Sequence, residues 1–183
     1  MLEDTYQPHN ANAIIRTAEI FGIQDIHVIQ ARNSFKAAHD ICKGAIKWVD
    51  VHKHAATIAA IDALKKQGYT IAATVATGQN VIPLENVAVN TKIAVLFGNE
   101  LDGLTETAMR HADLLVTIPM YGFTQSFNIS VSAAIVLATL MQKLRASSIN
   151  WRLSEHEQQE LHIKWLTILI EHADSILADQ KYR

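Results

Sequence analysis

The chain has 183 residues, 49% of them hydrophobic, so it can bury a full core and is not expected to be disordered. Sixteen Lys and Arg against eighteen Asp and Glu give a formal net charge of −2, which excludes the strongly basic balance of many nucleic-acid binders and leaves any RNA contact to a local patch or to one shared by two subunits. The single cysteine, Cys42, excludes a disulfide framework and a cysteine-based zinc cluster, and is expected to be a small buried residue.

The amino terminus predicts a soluble, cytoplasmic protein without a membrane segment. Its first residues, "MLEDTYQPHN", lack the charged-then-apolar pattern of a signal peptide. No apolar run along the chain is expected to reach the roughly 18 residues that a membrane span requires.

The first third of the chain predicts helices alternating with strands. Apolar residues recur at helical spacing from Asn10 to Phe21, and Gly22 is a natural end for that helix. The following segments predict, in order, a strand, a short helix that stops near Gly44, a second strand and a longer helix: "IQDIHVIQA", "SFKAAHDICKGA", "IKWVDVH" and "AATIAAIDALKKQG".

The middle of the chain continues the alternation. Two apolar, β-branched runs, "YTIAATVAT" and "KIAVLFG", are typical of buried parallel strands. A helix, a strand and a long apolar helix are then predicted over "LTETAMRHA", "DLLVTIP" and "NISVSAAIVLATLMQKLR". Strands that alternate with helices in this way predict an α/β fold with a mostly parallel sheet flanked by helices.

The pattern of apolar and polar residues in the sequence changes after Arg145. "ASSIN" is typical of a linker, and "LSEHEQQELHIKWLTILIEHADSILADQ" predicts one long amphipathic helix. Ser154 and Glu157 have the spacing of a capping box at its start. We therefore expect two domains, a main domain over residues 1–146 and a C-terminal helical extension over residues 147–183.

Three loops follow predicted strands, where an open parallel sheet collects its ligands: "TVATGQN", "FGNELDG" and "PMYGFTQSFN". The second resembles a nucleotide P-loop, but Leu104 replaces the lysine, and Glu100 and Asp102 would repel a triphosphate. No G-x-G-x-x-G follows a predicted strand. Such neutral or acidic loops suit S-adenosylmethionine, which carries no phosphate, although solvated loop carboxylates would give the same pattern.

The first predicted helix carries a possible binding pair. Asn10 and Arg16 are six residues apart, about 240° around a helix, so they share a face only if Asn10 is the N-cap or precedes the helix. In that position both side chains could reach one phosphate or ribose. The alternative is that Asn10 caps the helix and Arg16 is a solvated charge.

Three segments resemble, in order and spacing, the motifs of the SpoU/TrmH family of the SPOUT superfamily, the RNA 2′-O-ribose methyltransferases. They are "PHNANAIIRTAEIFG", "VLFGNELDGLT" and "IPMYGFTQSFNISVSAAIVL". The similarity spans Pro8 to about Arg145 and is greatest to the TrmH group, which methylates a guanosine 2′-hydroxyl in tRNA. Leu101 and Phe127 depart from the residues usual in that group.

The resemblance implies a SPOUT-type α/β knot, in which a C-terminal segment is threaded through a loop as a deep trefoil knot. It also implies a homodimer whose sites are completed by the partner subunit, S-adenosylmethionine as cofactor, and tRNA or possibly rRNA as the macromolecular partner. The alternation in "SFNISVS" is then a loop that leads into a helix starting at Asn128, and not a strand.

The resemblance also implies roles for particular residues. Catalytic positions match Asn10, Arg16, Glu100, Ser126 and Asn128, and cofactor-binding positions match Thr74, Leu96, Gly98, Ile118, Met120 and Phe127. Because a guanidinium does not deprotonate in proteins, we expect Arg16, aided by Asn10, to grip a phosphate and stabilise the 2′-oxygen electrostatically. Glu100 is expected to fix the glycine loop or to orient Arg16 or Asn128. No metal is expected, since no H-x-x-x-H pair falls on a predicted helix.

Three alternatives stay open. The same motifs serve rRNA 2′-O-methyltransferases, and an RNA-binding homologue could have lost catalysis. The C-terminal helix could be a dimer strut, since Leu161, Trp165, Ile168, Leu169 and His172 repeat at helical spacing, or it could contact RNA through Arg152 and Lys164, with Arg145 nearby.

Overall fold

A computed structural model of the chain describes residues 1–35, 42, 44–173 and 175. The chain divides into two compact units, Met1–Ser147 and Ser148–Arg183. Among the described residues, the first unit holds every strand named below and four of the five α-helices for which bounds are given, and the second unit holds the fifth. The helix predicted over "SFKAAHDICKGA" lies mostly outside the described residues.

The first unit is built on parallel strands. Their bounds are β1 Leu2–Glu3, β2 Asp25–Ile29, β3 Asp50–His54, β4 Tyr69–Thr74, β5 Ile82–Pro83, β6 Lys92–Leu96 and β7 Leu114–Thr117. The strands form two sets, ordered β1-β2-β3 and β5-β7-β4-β6, and every pairing is parallel. Glu3 N–H donates to the Phe97 carbonyl at 2.9 Å and Phe97 N–H to the Met1 carbonyl at 3.1 Å, so β1 joins the two sets.

Four helices complete this unit, over α1 Pro8–Ile20, α2 Thr57–Lys66, α3 Glu106–His111 and α4 Ile129–Ala146, with 3₁₀ turns over Ala45–Lys47 and Leu84–Asn86. Pro8 occupies the first turn of α1, where its missing N–H has no helical partner. Thr105 and Asn128 cap α3 and α4 through their side chains. These caps follow directly from the local sequence.

Successive residues of the strands face two separate apolar clusters. Val28, Ala72 and Phe97 belong to the cluster that includes Ile14 of α1 and Val136 of α4. Their neighbours Ile29, Ala73 and Leu96 belong to the cluster with Ile61 and Leu64 of α2 and Ala108 of α3. Because side chains alternate across a strand, helices cover both faces of the sheet, and the predicted α/β fold class is confirmed.

One predicted strand differs from the structure, and two short strands were not predicted. The strand expected over "IKWVDVH" begins only at Asp50, since Gly44 has a positive φ of 85° and Ala45–Lys47 turns as a 3₁₀ helix. Strands β1 and β5 were not expected, because two residues are too few to show a period. Cys42 is fully buried, as expected, and its thiol donates to Asn12 Oδ1 at 2.8 Å.

The second unit contains helix α5, Glu155–Leu169. The predicted capping box between Ser154 and Glu157 is present. The prediction of one helix as far as Gln180 is wrong, because Ile170 ends it and His172 has a positive φ of 60°. No residue of α5 is buried, so the expected packing stripe is not covered within the described part of the chain.

Helix α4 is long and apolar enough to cross a membrane, with 18 residues and a mean hydropathy of 1.3. The apolar residues of this helix do not form an unbroken run of that length, because Ser, Thr, Gln, Lys and Arg interrupt them, so the expectation about apolar runs is not contradicted. Length and composition are weak evidence for a span, because a core helix passes the same test. Four residues of α4 are buried in the apolar core of the first unit, Ala133, Val136, Leu137 and Leu140.

Candidate functional site

A cavity of about 100 Å³ lies at the carboxyl ends of β4 and β7, beside the first turns of α4. It adjoins a cleft of about 650 Å³ between residues 76–81 and residues 117–125. The two share the lining residues Ala76, Thr117, Ile118 and Met120. This is the edge of a parallel sheet where ligands bind, and the two volumes together suit a small organic molecule.

Four of the six predicted cofactor residues line the small cavity: Thr74, Ile118, Met120 and Phe127. Leu96 and Gly98, both described, do not line it. Leu96 is fully buried, and its carbonyl accepts a hydrogen bond from Thr74 Oγ1 at 3.0 Å. The end of β6 at Leu96 therefore contacts the cavity only indirectly, by holding the Thr74 side chain that lines it.

Gly98 allows the loop after β6 to close on itself. A Cβ at this position would lie 2.3 Å from both the Gly103 carbonyl carbon and the Leu104 nitrogen. Asn99 N–H donates to the Gly103 carbonyl at 2.8 Å, and Gly103 N–H donates back to the Asn99 carbonyl at 2.9 Å. The glycine is thus required by the loop's own backbone, which holds Glu100 in place.

Several lining residues were not predicted from the sequence. They are Val75, Ala76, Val116, Thr117, Ser132 and Val136. Val75 and Ala76 follow Thr74 at the end of β4, and Val116 and Thr117 end β7 just before Ile118, so their adjacency in sequence was an available signal. Ser132 lies one turn after Asn128, and this position places it at the cavity.

The lining chemistry fits S-adenosylmethionine. The small cavity combines the apolar side chains of Ile118, Met120 and Phe127 with the hydroxyl-bearing residues Thr74, Thr117, Ser126 and Ser132. No charged side chain belongs to the described lining of either cavity. A triphosphate would need positive charge there, whereas an adenosyl group without phosphates needs apolar walls and a few hydrogen-bonding groups.

A chain of hydrogen bonds links the three predicted motifs. Glu100 Oε1 accepts from Asn10 Nδ2 at 2.9 Å, and Asn10 Oδ1 accepts from Asn128 Nδ2 at 3.2 Å. Asn128 Oδ1 then accepts from the N–H and the hydroxyl of Ser130 at 2.8 and 2.6 Å. Glu100 sets the donor-to-acceptor direction of this series of hydrogen bonds, because an ionised carboxylate can only accept hydrogen bonds.

Glu100 also holds the segment before α1. Its Oε2 accepts from Tyr6 N–H at 2.8 Å, and its Oε1 accepts from Gln7 N–H at 3.2 Å. Partial burial raises the pKa of Glu100, but hydrogen bonds from the Asn10 side chain and from backbone N–H groups outweigh it, so the net pKa is lowered. The carboxylate therefore stays ionised at neutral pH and holds the backbone N–H groups of Tyr6 and Gln7 in place.

The structure separates Asn10 from Arg16. Gln7 is the N-cap, and Asn10 lies inside α1, so the expectation that Asn10 caps or precedes the helix is wrong. Asn10 is only 4% exposed, and its amide is committed to Glu100 and Asn128. Arg16 lies on the exposed side of α1 and forms no hydrogen bond or ion pair with the described residues. The two side chains do not converge on one ligand within a chain.

Ser126 differs from the other predicted catalytic residues in lying at the cavity itself. Its side chain lines the small cavity and is exposed. Its hydroxyl forms no hydrogen bond within the described part of the chain. Ser126 is therefore available to a ligand, whereas Asn128 is occupied by the cap of α4.

A third cavity, of about 270 Å³, lies at the amino ends of β2 and β6 and is lined in part by Asp25, His27 and Ile93. The His27 ring stacks on those of His52 and His54, and its Nδ1 lies 2.9 Å from His54 Nε2. Burial, together with neighbouring positive charge, lowers the pKa of His27 to about 4. No group of three or more metal-ligating side chains positioned to hold an ion occurs among the described residues.

Comparisons with known proteins converge on one family. The model of the SpoU rRNA Methylase family matches residues 1–138. The tRNA (guanosine(18)-2′-O)-methyltransferase of Borreliella burgdorferi is 46% identical over 165 residues, which cover 90% of this chain and 75% of that protein. This identity extends the similarity well beyond the three motifs.

Solved structures show the same fold. The A. aeolicus TrmH/SpoU tRNA modifying enzyme superposes with a TM-score of 0.81 at 28% identity, covering 93% of this chain and 88% of that one. The SpoU methyltransferase AviRb from Streptomyces viridochromogenes, solved in complex with AdoMet, superposes with a TM-score of 0.72 over 80% of this chain and 60% of that one. At 18% identity, the second likeness concerns the fold alone.

Proposed function

The chain belongs to the SpoU rRNA Methylase family, and from that membership we propose that it is a tRNA (guanosine(18)-2′-O)-methyltransferase that uses S-adenosylmethionine. The observation that carries this proposal is the 46% identity, over 90% of the chain, with a relative of that activity. The uncharged cavity at the carboxyl ends of β4 and β7 supports the choice of cofactor.

The described residues suggest how the reaction is promoted. S-adenosylmethionine, when bound, supplies a methyl group on a positively charged sulfur. Arg16 grips a phosphate beside the target ribose, orients the 2′-oxygen and stabilises the negative charge that develops on it as its proton passes to solvent. Asn10 does not share the phosphate, because it is buried. Asn10 and Glu100 instead position Asn128, and Ser126 offers its hydroxyl to the cofactor or the loop around it.

A direct assay tests the substrate. The purified protein should transfer one methyl group from labelled S-adenosylmethionine to tRNA from a strain lacking the cognate activity, and mass spectrometry should locate it on a guanosine ribose in the D-loop. Equal or better methylation of rRNA fragments would support the rRNA alternative. Binding of cofactor or RNA without turnover would support an inactive homologue.

We also propose that the working form is a homodimer. Arg16 is exposed and lines neither of the two adjoining cavities among the described residues, so a guanidinium from a second subunit would have to complete the site. The helices α1 and α4 also carry exposed apolar side chains, since Ile20 on α1 is 65% exposed and Val131 on α4 is 45% exposed. Only 22% of the apolar helix α4 is buried in one chain. A second copy covering this surface would bury these residues.

Subunit mixing tests the shared site. Arg16→Ala and Asn128→Ala variants should each be inactive, whereas mixed dimers carry one intact site and should recover about a quarter of the wild-type rate. A mixture without activity, or a monomer in sedimentation equilibrium that works at full rate, would contradict the dimer.

We further propose that the chain is threaded as a trefoil knot. Strand β7 lies between β4 and β5, which precede it in sequence, and Lys143 Nζ in α4 donates to the Glu85 carbonyl at 2.8 Å. Helix α4 therefore packs beside the 3₁₀ turn that follows β5, and the loop after β7 lines one cleft together with the segment that connects β4 and β5. Stretching single unfolded molecules from both ends should leave a knot and a shortened contour. Full extension would refute threading.

The remaining expectations stay predictions. They concern the assignment of residues 1–146 to the methyltransferase domain and 147–183 to a helical extension, the role of that extension in dimerisation or RNA contact, and the cytoplasmic location. A variant truncated after Ser147, measured for dimerisation and tRNA affinity, would separate the two roles of the extension.

A further inference from the structure

Two aromatic side chains in the loop between β7 and α4 stand in solvent. Tyr121 is 97% exposed and Phe123 is 108% exposed, so neither ring packs against the described residues of the chain. An aromatic ring has a large apolar surface whose burial is favourable. Two adjacent exposed rings therefore indicate a surface that is covered by a partner.

The position of this loop ties it to the candidate site. Phe123 and Gly122 line the cleft that adjoins the small cavity, and the same loop continues into Ser126 and Asn128. The Phe123 ring thus stands at the outer end of the candidate site, and Tyr121 lies two residues before it in the same loop.

The chemistry of the loop restricts what the partner can be. Residues 119–127, "PMYGFTQSF", contain no charged side chain. A phosphate or a charged peptide would find no counter-ion there, whereas a flat, uncharged ring would find two π-faces with hydroxyl and amide groups beside them. Nucleobases are such rings, and a nucleotide that enters an active site leaves its own stack and needs a new one.

We propose that Tyr121 and Phe123 form a stacking platform for a nucleobase of the RNA substrate, next to the ribose that is methylated. The inference rests on the proposed function and assigns the base contact to this loop, while the phosphate contact belongs to Arg16. Gly122 separates the two rings, and a Cβ there would meet nothing within 4 Å, so the loop has room to adjust when a base enters.

Binding measurements test the platform independently of catalysis. Phe123→Ala and Tyr121→Ala should each weaken tRNA binding about tenfold or more, the loss typical of one stacked base, with S-adenosylmethionine affinity retained. Ile58→Ala, in α2 and 43% exposed, removes an exposed apolar side chain that lines neither cavity and should leave tRNA affinity unchanged. Unchanged affinity in both loop variants would overturn the proposal.

A fluorescent substitution gives a more specific readout. In Phe123→Trp, tRNA should quench the added emission, obtained by subtracting the wild-type spectrum, and tRNA affinity should stay near that of the wild type. Quenching that appears on dimer formation without RNA, or dimer loss in Phe123→Ala, would identify a second subunit as the occupant and overturn the proposal. A wild-type protein that binds tRNA through these rings without methylating it would refute the proposed function alone.

Discussion

The Asn10–Glu100–Asn128 network and the loop of residues 119–127 lie at the same site but use their side chains in opposite ways. In the network, the Glu100 carboxylate and the Asn10 and Asn128 amides are engaged in hydrogen bonds with other groups of the chain. In the loop, Tyr121, Phe123 and the Ser126 hydroxyl are left to solvent.

The difference separates positioning from recognition. A group whose hydrogen bonds are all made internally contributes stability and geometry, because moving it leaves a buried partner unpaired. A group exposed beside a cavity contributes little to folding and is free to bind. Changes in the network should therefore affect stability and activity together, whereas changes in the exposed set should affect activity alone.

The largest effect is expected at Arg16, which lies on α1 and, like the side chains of the loop, is exposed. Arg16→Ala should lower the turnover of methyl transfer by at least about 100-fold, because the group that orients and stabilises the 2′-oxygen is lost. Cofactor affinity by calorimetry and the melting temperature should stay near wild-type values. Arg16→Lys should also fail, since it keeps the charge without the planar fork. Normal turnover in either variant would remove Arg16 from the mechanism.

A pair of glycine substitutions compares the two regions directly. Gly98→Ala places a methyl group 2.3 Å from backbone atoms and should cost about 1–3 kcal/mol or more in unfolding free energy, with activity lost as Glu100 moves. Gly122→Ala, in the exposed loop, meets nothing within 4 Å and should leave the denaturation midpoint almost unchanged. Equal midpoints for the two variants would contradict the distinction between the regions.

Glu100→Gln tests the direction of the hydrogen-bond chain. The new side-chain amide would present its own N–H donors to the N–H groups that the Glu100 carboxylate accepts from, so the free energy of unfolding should fall by about 1–3 kcal/mol. Turnover should also fall, because Asn128 loses its orientation. Glu106→Gln is the matched control, because Glu106 pairs with Arg110 on an exposed helix surface and such a pair contributes less than about 1 kcal/mol. Chemical denaturation and single-turnover kinetics would show whether the variants differ.

The smallest effect is expected at His27, which lies away from both regions. Its folded-state pKa of about 4 is below the unfolded value of 6.5, so the unfolded chain gains the proton first as pH falls. The contribution of His27 to stability should be fully present above pH 6.5 and should be lost between pH 6.5 and about 4. Because His27 is half-exposed, we expect the free energy of unfolding to fall by only about 1 kcal/mol over this range, which corresponds to about 2–4 °C in Tm. His27→Gln should flatten this decline without changing turnover at neutral pH. An equal decline in that variant would exclude His27 as the cause.

Local patterns in the sequence determined most of the elements. The apolar periods of α1 and α4, the buried runs of β4 and β6 and the capping box of α5 all reflect contacts within a few residues. The motif loops after β6 and β7 could be identified for the same reason, and so could the α/β class. Elements of two residues, β1 and β5, carry no period and were missed.

The tertiary structure decided what the motif residues do. Asn10 meets Glu100 90 positions away and Asn128 118 positions away, and these encounters depend on the order of strands in the sheet. The same order leaves Arg16 exposed and commits Asn10 to the interior, although both belong to one motif. Spacing along a helix fixes only the angle between two side chains, whereas the partner on each side is set by packing between distant segments.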